Sequence, residues 1–143
     1  MSHEANVIRL QDVTPATATR LVVLLYDGAI AALERALDAI DRGDPMRRCR
    51  SINMALDILA HLCLALDRDR GGEIAHNLTR LYGFMIGRLQ RANLLNDPAP
   101  LREVVALLET LYGAWRELDR RVTEEHTLQE ATRGGQAVVG AAG

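Results

Sequence analysis

Glu73 and His76 stand three residues apart in a stretch with helical patterning. That Glu-x-x-His spacing puts a carboxylate and an imidazole on one side of a helix. Di-metal bundles use two such motifs plus a glutamate from each of two further helices. This chain has one copy, placed in a first helical turn. A carboxylate there suits the positive end of the helix dipole, and the histidine beside it reads as solvated. The two cysteines, Cys49 and Cys63, match no zinc or thioredoxin spacing. Cys49 lies among Arg47, Arg48 and Arg50, and reads as an ordinary thiol rather than a functional one. Cys63 lies in an apolar helical run and reads as core. Ser2 and Ser51 are the only serines, and neither sits in a nucleophile elbow. Gly71-Gly72 lacks the lysine and spacing of a phosphate loop. Glu103, Glu109 and Glu117 read as surface charges, because no apolar pocket is implied that would drive their pKa values apart. His61 falls on a polar helix side, and His3 and His126 fall in the tails. The expectation is a protein without catalytic residues, metal or cofactor.

The elements that carry these residues are helices. Thr14-Pro15 or Thr17 offers the first start, with threonine as cap and proline at the first position. The first helix runs to about Arg42 and stops at Gly43-Asp44-Pro45. A second, from about Met46 to Asp67, repeats Ile52, Ala55, Leu59, Leu62 and Leu66 at three-four spacing, the seam of a left-handed bundle. Residues 67–72 form a polar turn closed by glycine. The third helix starts near Glu73 with a stripe of Ile74, Leu78, Leu81, Met85, Leu89 and Ala92, and Asn96-Asp97-Pro98 ends it. The fourth runs from about Leu101 to Val122 on Leu101, Val104, Leu108, Leu111, Trp115, Leu118 and Val122, which makes Trp115 a buried residue. No strand pattern intervenes. The predicted fold is all-α: an antiparallel four-helix bundle over 14–122, with an N-terminal segment (1–13) and a flexible, Gly/Ala-rich C-terminal tail (123–143).

The first helix is too apolar for one neighbour. Val22, Tyr26, Ala29, Leu33, Ala36 and Ile40 make the stripe, and Val23, Ile30 and Leu37 widen it. Leu24 falls among Arg20, Arg35 and Asp38 in the polar sector. Met54 likewise falls beside His61 on the polar side of the second helix. Ile58 sits at that helix's edge, and Tyr82 and Ile86 form a row beside the third helix's seam. A groove that accepts an amphipathic helix would account for this surplus, and exposed methionine helps such a surface adapt. The expected binding residues are therefore Val23, Leu24, Ile30, Met54, Ile58, Tyr82 and Ile86.

Charge and composition exclude other classes. A net charge of −2 gives no attraction to nucleic acid, and one Phe and one Trp make no stacking platform. No apolar run approaches the ~20 residues of a membrane span, and residues 1–13 lack the pattern of a secretory signal. Cytoplasmic localisation follows as the default.

Residues 21–30 (LVVLLYDGAI), 52–67 (INMALDILAHLCLALD), 73–77 with Leu81-Tyr82, 91–97 (RANLLND) and Ala114-Trp115 occur in the order typical of one family. Over residues 17–118 the chain resembles FliS, the flagellin-specific export chaperones of bacterial flagella. The Leu-Tyr-Asp-Gly and Ala-Asn-Leu-x-Asn-Asp signatures carry the resemblance in combination. It implies a cytoplasmic helical bundle without catalytic activity that binds the disordered C-terminal segment of flagellin. It further implies that the chaperone prevents premature polymerisation and assists export, with an export-gate component as a second partner. Members of the family usually have a tyrosine in the N-terminal segment; residues 1–13 here have none. The competing readings are a bundle whose surplus apolar surface forms a homodimer with a structural or regulatory role, and a metal-binding bundle enzyme using Glu73 and His76.

Overall fold

The computed structural model describes residues 14–142, with side chains for all of these except 68 and 136–142. The expectations for residues 1–13, for Gly143 and for the side chains of Val138 and Val139 lie outside the described residues. Among the described residues four helices follow one another: α1 (Pro15–Asp41), α2 (Pro45–Ala65), α3 (Arg68–Leu95) and α4 (Pro98–Ala142).

Each boundary has a local chemical cause. Thr14 caps α1, its hydroxyl accepting from the Thr17 N–H at 3.2 Å, and Pro15 occupies the first turn. Gly43 turns the chain at φ 67°, a left-handed conformation that glycine adopts without steric cost. Asp44 then caps α2 through the Arg47 N–H at 3.1 Å. Leu66 is extended and Asp67 caps α3 through the Arg70 N–H at 3.1 Å. Asn96, left-handed at φ 52°, ends α3. Short connections make successive helices antiparallel. α1 packs against α2 and α4, and α3 closes the square by packing, less extensively, against the same two.

The core runs down the centre. Val22, Tyr26, Ala29, Leu33 and Ala36 from α1 meet Ile52, Ala55, Leu59 and Leu62 from α2. Tyr82, Met85, Leu89 and Ala92 from α3 and Leu101, Val104 and Leu108 from α4 complete it. The small buried residues of α1, Ala29, Ala32, Ala36 and Ala39, let its neighbours come close. α1 is thus the central helix. By length and composition alone it also matches a membrane span, which corrects the sequence reading, but its apolar face is spent on the bundle.

Three further expectations are corrected. α3 begins at Arg68 rather than Glu73 and is broken at Gly72, whose φ 53° and ψ −126° are open only to glycine. The break re-aims the helix. Ala75 and Tyr82 turn inward, whereas Ile74, expected in the core stripe, is 73% exposed. Trp115 is half-buried rather than buried, leaning on Tyr26 with ring centroids 6.4 Å apart. The fourth helix does not end near Val122 but continues to Ala142. Among the described side chains, the added part is exposed from Thr123 through Gly135. Ion pairs one turn apart support its start, Arg120 with Glu117 and Glu124 and Arg121 with Glu117, and the His126 ring lies 3.1 Å from the Glu130 carboxylate.

At the end of the bundle where α1 begins, Asp119 of α4 is buried. It accepts a hydrogen bond from the Thr19 hydroxyl at 3.3 Å and pairs with Arg20 at 3.1 Å. Leu118 beside it, expected inward, is 42% exposed.

Candidate functional site

Among the described residues, those with reactive chemistry do not assemble into a site. Glu73 and His76 are both exposed in the first turn after the Gly72 break. Among the described residues no three His, Cys, Asp or Glu side chains come together to hold a metal ion. Cys49 is half-buried, its Sγ 3.3 Å from Asn93 Oδ1. Arg48 bonds that same Asn93 and, at 2.6 Å, Asn96, tying the start of α2 to the end of α3. Glu103 pairs with Arg88 of α3 at 2.6 Å. Glu117 is held at a pKa of about 2 by hydrogen bonds from Arg120 and Arg121 on its own helix. These are surface ion pairs.

The apolar residues divide into distinct places. Leu24 is 56% exposed and shares one side of α1 with Gly28 and Arg35, at i, i+4 and i+11. α2 passes along this side. Ile58 Cδ1 lies 3.4 Å from where a Cβ on Gly28 would stand, and the Arg35 guanidinium donates to Met54 Sδ at 3.2 Å. Met54 is itself 49% exposed and Ile58 half-buried. Leu24, Ile58 and Met54 thus line the outer seam between α1 and α2, and Arg35 covers part of the methionine. Val23 and Ile30 lie on the other flank of α1, in line with Thr19 and facing α4. Val23 is buried there at 8% exposure, and Ile30 is partly buried against the core. Ile86 is partly buried on the side of α3 that bears Asn93 and faces α2.

Tyr82 is a core residue, 1% exposed, so its placement beside the seam is corrected. Its hydroxyl is 2.5 Å from that of Tyr26. Burial raises the pKa of both phenols; hydrogen bonds from Tyr82 and Trp115 partly oppose this at Tyr26.

The wheel also missed a pocket of about 370 Å3 at the end of the bundle. Val22, Leu62, Leu66, Leu78, Tyr82 and Trp115 line its walls, and Asp67, Arg70, Gly71 and Ile74 its mouth. It opens where the break at Gly72 separates the start of α3 from α1 and α4. The glycine pair was the one sequence signal for it. A Cβ on Gly71 would stand 2.7 Å from that of Ala75, so both glycines are needed for the chain to pass. An almost wholly apolar pocket beside an apolar seam suits an amphipathic helix with large side chains.

The comparisons with known proteins point the same way. The family model described as "Flagellar protein FliS" matches residues 1–122. The flagellar secretion chaperone FliS of Salmonella typhimurium is 38% identical over 112 residues, covering 78% of this chain and 83% of that protein. The flagellar secretion chaperone FliSB of Pseudomonas aeruginosa is 42% identical over 103 residues, 72% of this chain and 82% of its own. The FliS chaperone of Bacillus subtilis is 30% identical over 105 residues, 73% and 77% of the two chains. A match over nearly all of the bundle, on the fold the helical pattern predicts, leaves one conclusion: the chain belongs to the FliS family of flagellar secretion chaperones.

Proposed function

We propose that this protein binds the disordered C-terminal segment of flagellin in the cytoplasm, keeps it from polymerising early and assists its export. The observation that supports this most is the exposure of Leu24 and Met54 along one seam, with Ile58 partly buried on the same seam. Isolated exposed apolar residues are ordinary, but a row of them along one helix pair marks an interaction surface. A client helix laid there would bury an apolar face that is otherwise prone to self-association. Ile30 and Ile86 extend the same surface if the client wraps around α1 and α2. The protein acts by binding alone, without catalysis, metal or cofactor, and an export-gate component is its second partner.

The test is calorimetric titration of the full chain with a peptide of flagellin's C-terminal segment. Saturable binding at micromolar or tighter dissociation constant, about −8 kcal/mol, is the expected result. Absence of heat and of any complex at that concentration overturns the reading.

A further inference from the structure

The outward face of α3 carries a second pattern, away from the α1–α2 seam. α3 packs between α2 and α4 and stands diagonally opposite α1. Arg80, Phe84, Arg91 and Leu95 follow one another at i, i+4, i+11 and i+15, all on one side of the helix and all exposed. Phe84 is 48% and Leu95 54% exposed. Arg88 beside them is neutralised by Glu103. Arg80 and Arg91 have no ion-pair partner among the described residues. Gly83 and Gly87 flank the phenylalanine, and a Cβ at either would meet nothing within 4 Å. Internal packing therefore gives no reason for glycine there, although interior glycines weaken a helix. They leave the backbone bare along one flank of Phe84.

We propose that this face docks an acidic amphipathic helix of a partner protein. Its carboxylates would stand opposite Arg80 and Arg91, eleven residues and about 16 Å apart, and its apolar residues opposite Phe84 and Leu95. Two unpaired guanidiniums spaced around exposed apolar side chains select a partner of that charge pattern and reject a basic one. A second copy of this chain is a poorer occupant. Among the described residues of its exposed α4 end, Leu128 is the one large exposed apolar side chain, and of the three carboxylates there Glu124 and Glu130 are already paired with Arg120 and His126, which leaves Glu125 alone to meet two guanidiniums. The face is distinct from the seam proposed for flagellin, so the two can be occupied together.

The probe is a synthetic alanine-rich helix of about 20 residues. It carries two glutamates eleven residues apart, each followed four residues later by a leucine; a control has glutamine in place of glutamate. Binding to the full chain is read by fluorescence anisotropy at low salt. The acidic peptide is expected to bind at least about tenfold more tightly than the control. Arg80→Glu with Arg91→Glu should remove that advantage while flagellin-peptide binding stays unchanged, and Arg80→Gln with Arg91→Gln should reduce it. Equal binding of the two peptides overturns the proposal, as does acidic binding that survives the charge reversal. Loss of flagellin-peptide binding in the same variant overturns the separation of the two surfaces. A wild-type dimer that light scattering shows dissociating on charge reversal overturns it in favour of a second copy.

Discussion

The hydroxyls of Tyr26 and Tyr82 meet at 2.5 Å across the diagonal of the bundle, joining α1 and α3, which pack against each other far less than either packs against α2 or α4. Each phenol gives the other its partner in an apolar core. Removing one hydroxyl therefore costs more than removing both. Tyr82→Phe or Tyr26→Phe alone should destabilise the fold by about 1–3 kcal/mol, and the double variant by no more than either single one. Urea denaturation of the four members of the cycle checks this. Simple addition of the two costs would mean that the hydroxyls are not each other's partners.

The same pair sets an alkaline limit. Burial raises both phenol pKa values above the usual 10. Folding thus favours the protonated forms, and their contribution is fully present below pH ~10, where the unfolded phenols begin to ionise. It is lost as pH rises toward the folded-state pKa values. Thermal stability should fall above about pH 10, and tyrosinate absorbance from these two residues should appear only with unfolding. Tyr26→Phe with Tyr82→Phe should flatten the alkaline fall. An unchanged slope would assign it to other groups.

Leu24 separates folding from binding. It is 56% exposed, so Leu24→Asp should shift stability by about 0.5 kcal/mol or less. If flagellin occupies the α1–α2 seam, the new charge should weaken the peptide about tenfold or more. A folded variant with wild-type affinity would remove Leu24 from the binding surface.

Trp115 should matter less to stability than a fully buried tryptophan. Its ring packs on Tyr26 but forms a wall of the open pocket. Trp115→Ala should cost about 1–3 kcal/mol, below the ~3–5 of a core aromatic. Denaturant midpoints measure it, and a larger loss would mean that the pocket is closed in solution.

Deleting residues 123–143 should leave the melting temperature within about 2 °C of the parent. The exposed part of α4 makes its ion pairs within its own helix. A drop of several degrees would show that this segment docks on the bundle.

Much of this fold is legible in the chain because its helices bury one face each and carry proper caps. Thr14 announces the start of α1 and Gly43-Asp44-Pro45 its stop, and Leu59 or Leu108 repeats at the spacing of its stripe. Leu24 was legible for the opposite reason: charged neighbours on the wheel place it outside. Tyr82 was misread because a wheel fixes relative angles along a helix, not the helix's rotation about its axis, which here depends on Gly72. Trp115 sits where α3 parts from its neighbours, a tertiary circumstance its spacing does not encode. The long end of α4 went unseen because apolar periodicity detects helices through what they bury, and Thr123 through Gly135 are all exposed. The pocket needs four chain segments at once and has no linear signature beyond two glycines.

The break at Gly72 also divides α3 in time. The turn before it, from Arg68 to Gly71, is held by the Asp67 cap and the Gly71 N–H to Asp67 carbonyl bond at 2.8 Å. The long segment after it is anchored in the core through Tyr82, Met85 and Leu89. A stub so lightly tied opens without the rest of the helix. Its amides should therefore exchange with solvent deuterium before those around Met85. Since Asp67, Arg70 and Gly71 line the pocket, fraying of this turn would widen the aperture without global unfolding.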